Sequence, residues 1–147
     1  MINKKRELKF DYAIGIDCGV NTGFAVWSVQ KNCYLTVKSI AIHGALMEVA
    51  SAFKAQPNIK VFIEDARLRK WFGKNSTAKL QGAGSIKRDS KIWEDFCKDL
   101  NIPYQLVAPK DNKTKLNSVQ FKNYTGWRKT TNEHSRDAGM LVFQRSS

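Results

Sequence analysis

The tightest constraint on this chain is a short apolar run that ends in a carboxylate. Residues 12–17 read Tyr-Ala-Ile-Gly-Ile-Asp, break into Cys-Gly-Val-Asn-Thr, and turn apolar again over 23–30, GFAVWSVQ. Short apolar runs bounded by glycine-containing turns are strands built for burial. The pattern therefore predicts a hairpin whose first strand delivers Asp17 at its end. Lys31-Asn32 supplies a second turn, and 33–42 (CYLTVKSIAI) a third antiparallel strand.

Beyond the hairpin, Leu46, Val49, Ala50 and Phe53 carry the spacing of an amphipathic helix over 45–55, stopped at Pro57 and Asn58. Residues 59–65 (IKVFIED) return as a β-branched strand that closes on two acids. A basic, glycine-containing loop, 66–84, leads to a helix over about 85–100, striped by Ile86, Ile92, Trp93, Phe96 and Leu100. A fifth strand follows at 102–109, then a short helix at 112–124. A last helix is expected over 130–144, where Thr130 and Glu133 have the spacing of a capping box. The order βββαβαβ followed by helices implies an α/β domain: a five-stranded mixed sheet, three strands antiparallel and then two parallel, flanked by helices. The 147 residues fit one domain with no linker, residues 1–10 being a basic lead-in.

In such a sheet, strands one and four as neighbours would bring Asp17 and Glu64 out side by side. Asp137, in the first turns of the last helix, could come down onto them. Asp17 as a turn cap and Glu64 as a solvated strand end are the plain structural alternatives; the joint arrangement carries the weight. Clustered carboxylates repel unless a cation joins them. Hard oxygen donors without a matching Cys/His set call for Mg²⁺, with Mn²⁺ able to substitute. Two such ions roughly 4 Å apart activate water and stabilise a leaving oxygen in phosphodiester hydrolysis. His134, three residues before Asp137, shares its helix face, as a fourth ligand or as an aid to proton transfer.

Charge points the same way. Lys and Arg number 25 against 13 acids, a net +12, which favours a polyanionic partner such as nucleic acid. The excess is clustered. Arg67, Arg69, Lys70, Lys74, Lys79, Lys87, Arg88 and Lys91 fall within 66–91 beside the single acid Asp89. Lys110, Lys113, Lys115, Lys122, Arg128 and Lys129 fall within 109–129 beside Asp111. Trp71 and Phe72, interleaved in RLRKWFGK, suit base or strand contact. No apolar stretch reaches the ~20 residues of a membrane span, and the N-terminus lacks a signal peptide's apolar region, so the expected location is cytoplasmic. Cys18, Cys33 and Cys97 are too irregularly spaced for a disulfide framework or a zinc site.

IGIDCGVNTGFAVW, VFIEDARLRKWFGKNSTAKLQGAGSIKR, IPYQLVAP and HSRDAGMLV, taken together and in this order, resemble the four landmarks of the RuvC-type Holliday junction resolvases, nucleases with an RNase H-like (retroviral integrase superfamily) fold. The resemblance runs from about residue 12 to 144. It implies that Asp17, Glu64 and Asp137 are metal-binding catalytic acids, and that His134 stands where the family has an acid or a histidine. It also implies a homodimer that nicks two opposed strands of a four-way DNA junction, leaving 5′-phosphate and 3′-hydroxyl ends. Trp71 or Phe72 would meet the junction, with Arg67, Arg69, Lys70, Lys74, Lys79, Lys87, Arg88, Lys113 and Lys115 along the DNA. The stretch between Pro109 and His134 is shorter than in the cellular enzymes, a variation found in small phage-encoded members. Broader branched-DNA or RNA-processing nucleases of the same fold are the nearest alternatives. GIDCGVNTG also resembles the phosphate hairpin of actin-like ATPases, but those require a second such domain.

Overall fold

The computed structural model describes residues 10–68, 77–112 and 115–146, with the side chains of 77–83 and 86 left aside. The elements are β1 (Tyr12–Asp17), β2 (Asn21–Ser28), β3 (Cys33–Ala41), α1 (Ile42–Ala55), β4 (Ile59–Glu64), α2 (Thr77–Asp99), β5 (Tyr104–Val107), α3 (Ser118–Thr125) and α4 (Glu133–Val142). One mixed sheet has the order β3-β2-β1-β4-β5, with β1, β2 and β3 antiparallel and β4 and β5 parallel to β1. This is the sheet the sequence predicts. No helix among the described residues is long and apolar enough to cross a membrane.

Several boundaries differ, each for a local reason. The helix expected from 85 starts at Thr77, so Gly82 and Gly84 lie inside α2 instead of marking a loop. The fifth strand, expected over 102–109, keeps only Tyr104–Val107, and Pro109–Asp111 forms a 3₁₀ turn just ahead of the helix expected from 112. α3 instead starts after Asn117, whose side chain accepts from the Gln120 N–H while Gln120 answers back to the Asn117 N–H. The capping box of α4 is Asn132 with Ser135, not Thr130 with Glu133. Asn is the stronger cap, and Ser135 returns the bond at the required third position.

Strand alternation sorts the core onto two faces. Ile14, Ile16, Phe24, Val61 and Ile63 join Ala45 and Val49 of α1 and Trp93 and Cys97 of α2. Ala13, Ala25, Trp27 and Phe62 face the other way, onto Ala138, Leu141 and Val142 of α4 and Phe121 of α3. This second face is lined with small residues where α4 crosses it. A methyl group on Gly15 would strike the Ala138 carbonyl oxygen, and one on Gly23 would strike the His134 carbonyl oxygen. Only glycine lets the helix backbone come down this far. Across the helix, Gly139 receives the Phe121 ring, and the Tyr34 hydroxyl donates to the Gly139 carbonyl at 2.6 Å.

Candidate active site

Asp17 and Glu64 are direct partners in the parallel β1–β4 register, the last residues of their strands. Alternation places Asp17 on the face that α4 covers, in step with Ala13 and Gly15, and Glu64 in step with Phe62. The close crossing over Gly23 then sets His134 against Asp17, with Nδ1 3.0 Å from Oδ2. Asp137 follows one turn along. Its Oδ1 accepts the backbone N–H of Lys115 at 3.1 Å. The three acids and the histidine, distant in sequence, therefore meet at one end of the sheet.

Sequence reasoning missed one participant and gave another a different contact. Asn112, 8% exposed, sends both amide hydrogens into the site: Nδ2 donates to Glu64 Oε2 at 2.8 Å and to the Asp137 carbonyl at 3.1 Å. It ties the end of β4 to α4. Its Oδ1 is buried and meets no donor among the described residues, a cost of about 1–3 kcal/mol that packing alone does not explain. No motif marks this residue, which lies in a loop after Pro109. Lys115, expected to serve through its side chain, touches the site through its backbone N–H, from a left-handed conformation at φ 65°.

The electrostatics are those of crowded acids. Asp17 is pushed up to about 7, first by burial; its bond to His134 opposes the rise, and the charges of Glu64 and Asp137 add to it. Burial also raises Asp137, against the pull of the Lys115 N–H. A divalent cation would reverse this penalty, and three carboxylates with one imidazole form a donor set that fits Mg²⁺ or Mn²⁺. Cys18, next in the chain, is no soft competitor: burial pushes its thiol up to about 12, and its Sγ lies 3.6 Å from the Glu64 carbonyl. Among the described residues no three acidic or thiol/imidazole side chains already stand as a closed ligand cluster. Each acid is instead engaged by a protein donor: His134, Asn112 or the Lys115 N–H. Cation binding would exchange those bonds for shared coordination.

The adjacent acid, Asp65, has a different fate. It is 1% exposed and is gripped by Arg67, whose Nε and Nη2 reach its two oxygens at 2.7–3.0 Å. Arg67 Nη2 also reaches Glu94 of α2 at 3.2 Å. The Arg67 guanidinium is thus committed to two carboxylates, anchoring the chain just past β4. Lys87 and Arg88 lie on α2, Arg88 being largely exposed. Lys79 is on the same helix, its side chain outside the described set, and Arg69, Lys70, Trp71, Phe72, Lys74 and Lys113 lie outside the described residues.

No family model matches the sequence, and no curated protein matches it. Among solved structures the chain is similar to T. thermophilus RuvC in complex with Holliday junction substrate. The TM-score is 0.55 at 14% identity, over 90% of this chain and 91% of that one. The likeness spans nearly the whole of both chains and assigns the fold: a RuvC-like, RNase H-like mixed sheet with flanking helices.

Proposed function

We propose that this chain is a metal-dependent, structure-specific DNA endonuclease that resolves four-way junctions by paired hydrolytic nicks, leaving 5′-phosphate and 3′-hydroxyl ends. The observation that carries the reading is the pairing of Asp17 with Glu64 at the ends of two parallel strands, with His134 and Asp137 lowered onto them. The fold shared with a protein solved on a Holliday junction and the +12 charge support it.

Asp17, Glu64 and Asp137 would hold Mg²⁺, two ions per site, with His134 at the edge of the donor set. When bound, the ions would supply charge neutralisation at the scissile phosphate and acidify water. The chain's own residues do the rest. Asn112 fixes Glu64 relative to Asp137. Asp17 orients the His134 ring through Nδ1, leaving the half-exposed imidazole to pass a proton to the departing 3′-oxygen. In the balanced step, the water oxygen bonds to phosphorus, the bond from phosphorus to the 3′-oxygen breaks, one water proton leaves, and the 3′-oxygen gains a proton. Paired nicks on opposed strands need two such sites in a C₂ homodimer.

The deciding assay sets a four-way junction, a Y-fork, linear duplex and an RNA–DNA hybrid against wild type and Asp17→Asn, with Mg²⁺ or EDTA. The proposal expects symmetric junction nicks in Mg²⁺, lost with EDTA and reduced at least 1,000-fold in the variant. Equal cutting of all branched forms makes it a general debranching nuclease, and cutting of the hybrid alone moves it to RNA processing. Junction binding without cleavage overturns the enzyme reading.

A further inference from the structure

A second feature lies at the connection between α3 and α4, outside the carboxylate site. A groove of about 390 Å³ is lined by Val119, Lys122, Trp127, Arg128, Lys129 and Thr130, among others. That volume is within the range of small-ligand sites, about 300–1,000 Å³. Its lining holds three cations and no carboxylate, and none of the three is paired with an acid among the described residues. Ser118, Thr130 and Thr131 complete the wall, and the cations also flank apolar material: Val119 is 64% exposed, and the half-buried Trp127 ring rests edge-to-face against Tyr34 with centroids 5.9 Å apart. The Lys129 ammonium stands over the indole ring, 5.6 Å from its centroid. Gly126 at φ 81° ends α3 and turns the chain so that Trp127, Arg128 and Lys129 follow in immediate succession.

The groove is tied to the carboxylate site through one side chain. Thr131, also in its lining, accepts from Arg136 Nη1 at 3.1 Å, while Arg136 Nε donates to the Leu116 carbonyl at 2.7 Å. Arg136 directly precedes Asp137, and the residue before Leu116 is Lys115, whose N–H holds Asp137. Thr131 is three residues from His134, so their Cα atoms are at most ~11 Å apart. One strand could therefore occupy both places.

We propose that this groove is a subsite for an unpaired nucleotide of the strand being cut, its base stacking on Trp127 and its phosphates held by Lys122, Arg128 and Lys129; the proposal rests on the nuclease reading above. An aromatic face ringed by cations suits single-stranded nucleic acid, because every base has a π-face and every nucleotide a phosphate. The exposed Lys129 tail swings to a phosphate as a base takes its place on the ring. A junction or fork with strands opened at its branch point supplies such a nucleotide, whereas continuous duplex does not.

The test uses the full chain in the Asp17→Asn background, which removes cutting from the binding measurement. Anisotropy is read on a labelled fork with an unpaired arm and on fully paired duplex of equal length, across a salt series. Combined Lys122→Ala, Arg128→Ala and Lys129→Ala, all exposed positions, should weaken fork binding 10- to 100-fold. It should also flatten the log–log salt slope by about 2, as expected for three single-strand phosphate contacts. Duplex binding should change less than 3-fold. Trp127→Phe, which keeps the packing against Tyr34, should weaken fork binding about 5-fold, and photo-crosslinking from 5-iododeoxyuridine in the arm should fall on Trp127. Unchanged fork affinity, an equal loss on duplex, or no DNA binding by the parent overturns the subsite. Its failure and that of the nuclease reading are separable: wild type that cuts junctions while the triple variant binds forks normally defeats only the subsite. Loss of fork binding by the triple variant of a chain that never cuts supports the subsite and defeats only the nuclease.

Discussion

The two faces of the sheet are both well buried, yet they are built differently. On the α1–α2 face, branched and aromatic side chains keep the helices at ordinary side-chain distance: Ile14, Ile16, Val61 and Ile63 against Val49 and Trp93. On the α4 face, glycine and alanine let backbone meet backbone, with Gly15 under Ala138 and Gly23 under His134. The first arrangement tolerates small shifts. The second sets the distance of a helix from a sheet to within a methyl group, and it is the one that carries Asp17, Glu64, His134 and Asp137. The largest effect should come from breaking that closeness. Gly23→Ala places a methyl on the His134 carbonyl, which is backbone and cannot rotate away. Overpacking of this kind costs about 1–3 kcal/mol. Because a misplacement of about 1 Å can cost 100-fold in rate, cleavage should fall at least that far, while circular dichroism still reports a folded chain. Activity within 3-fold of wild type would mean that the close crossing does not position the site.

The faces also differ in what they ask of neighbouring acids. Glu64 and Asp65 are adjacent, but Asp65 is bound by Arg67, which also reaches Glu94 of α2, whereas Glu64 accepts from Asn112 and stands beside Asp17. Without a cation, Asp17 therefore holds its proton to about pH 7 in the folded chain but releases it near 3.8 when unfolded. Between those values the folded state binds more protons, so metal-free stability should fall as pH rises. The ceiling is about 1.4 kcal/mol per pH unit, or roughly 2–4 kcal/mol across the window. Asp17→Asn should flatten the profile. Millimolar Mg²⁺ should restore stability at pH 8 and do little at pH 5, read as Tm by calorimetry. Stability that rises through this window would make Asp17 a partner stabilised by His134⁺ rather than a crowded acid.

Asn112 sharpens the comparison at smaller scale, because it ties the end of β4 to α4 through a single side chain. Asn112→Ala should lower kcat about 10- to 100-fold, the usual cost of losing a residue that orients ligands, with a smaller change in DNA affinity. It removes the undonated Oδ1 along with two donated bonds, so the relief of the one offsets part of the loss of the others and the stability cost should stay at about 1–2 kcal/mol. A loss of folding in place of activity would make the residue a plain structural bridge.

Much of this was legible in the sequence where local and global signals agree. Apolar runs with turn residues on both sides placed β1 to β4, and the prediction that Asp17 and Glu64 lie side by side required only that β1 and β4 be neighbours, as they are. Alternation also tells Glu64 from Asp65, since one face must hold Phe62 and Glu64 together. Legibility failed where the signal is not periodic. Gly82 and Gly84 read as a loop because glycine disfavours helices by about 1 kcal/mol, a local penalty that the longer α2 overrides. Asn112 and the Lys115 N–H act from irregular backbone, where no residue type announces a hydrogen bond to an element elsewhere in the chain. Arg67 read as a DNA contact because charge alone does not reveal a buried partner such as Asp65.

The smallest expected effect tests the tolerant face. Ile14 lies between Ala13 and Gly15 on the strand that ends in Asp17, but its side chain packs toward α1 and α2. Ile14→Val removes one buried methylene and should cost about 0.5–1.5 kcal/mol in stability. Cleavage at saturating Mg²⁺ should stay within 2-fold, because the gap opens away from α4. Set beside Gly23→Ala, a one-carbon change of opposite sign on the neighbouring strand, it separates stability from positioning. If Ile14→Val instead lowered cleavage as strongly as Gly23→Ala, the helix would be registered by the core as a whole, and the glycine crossing would lose its special standing.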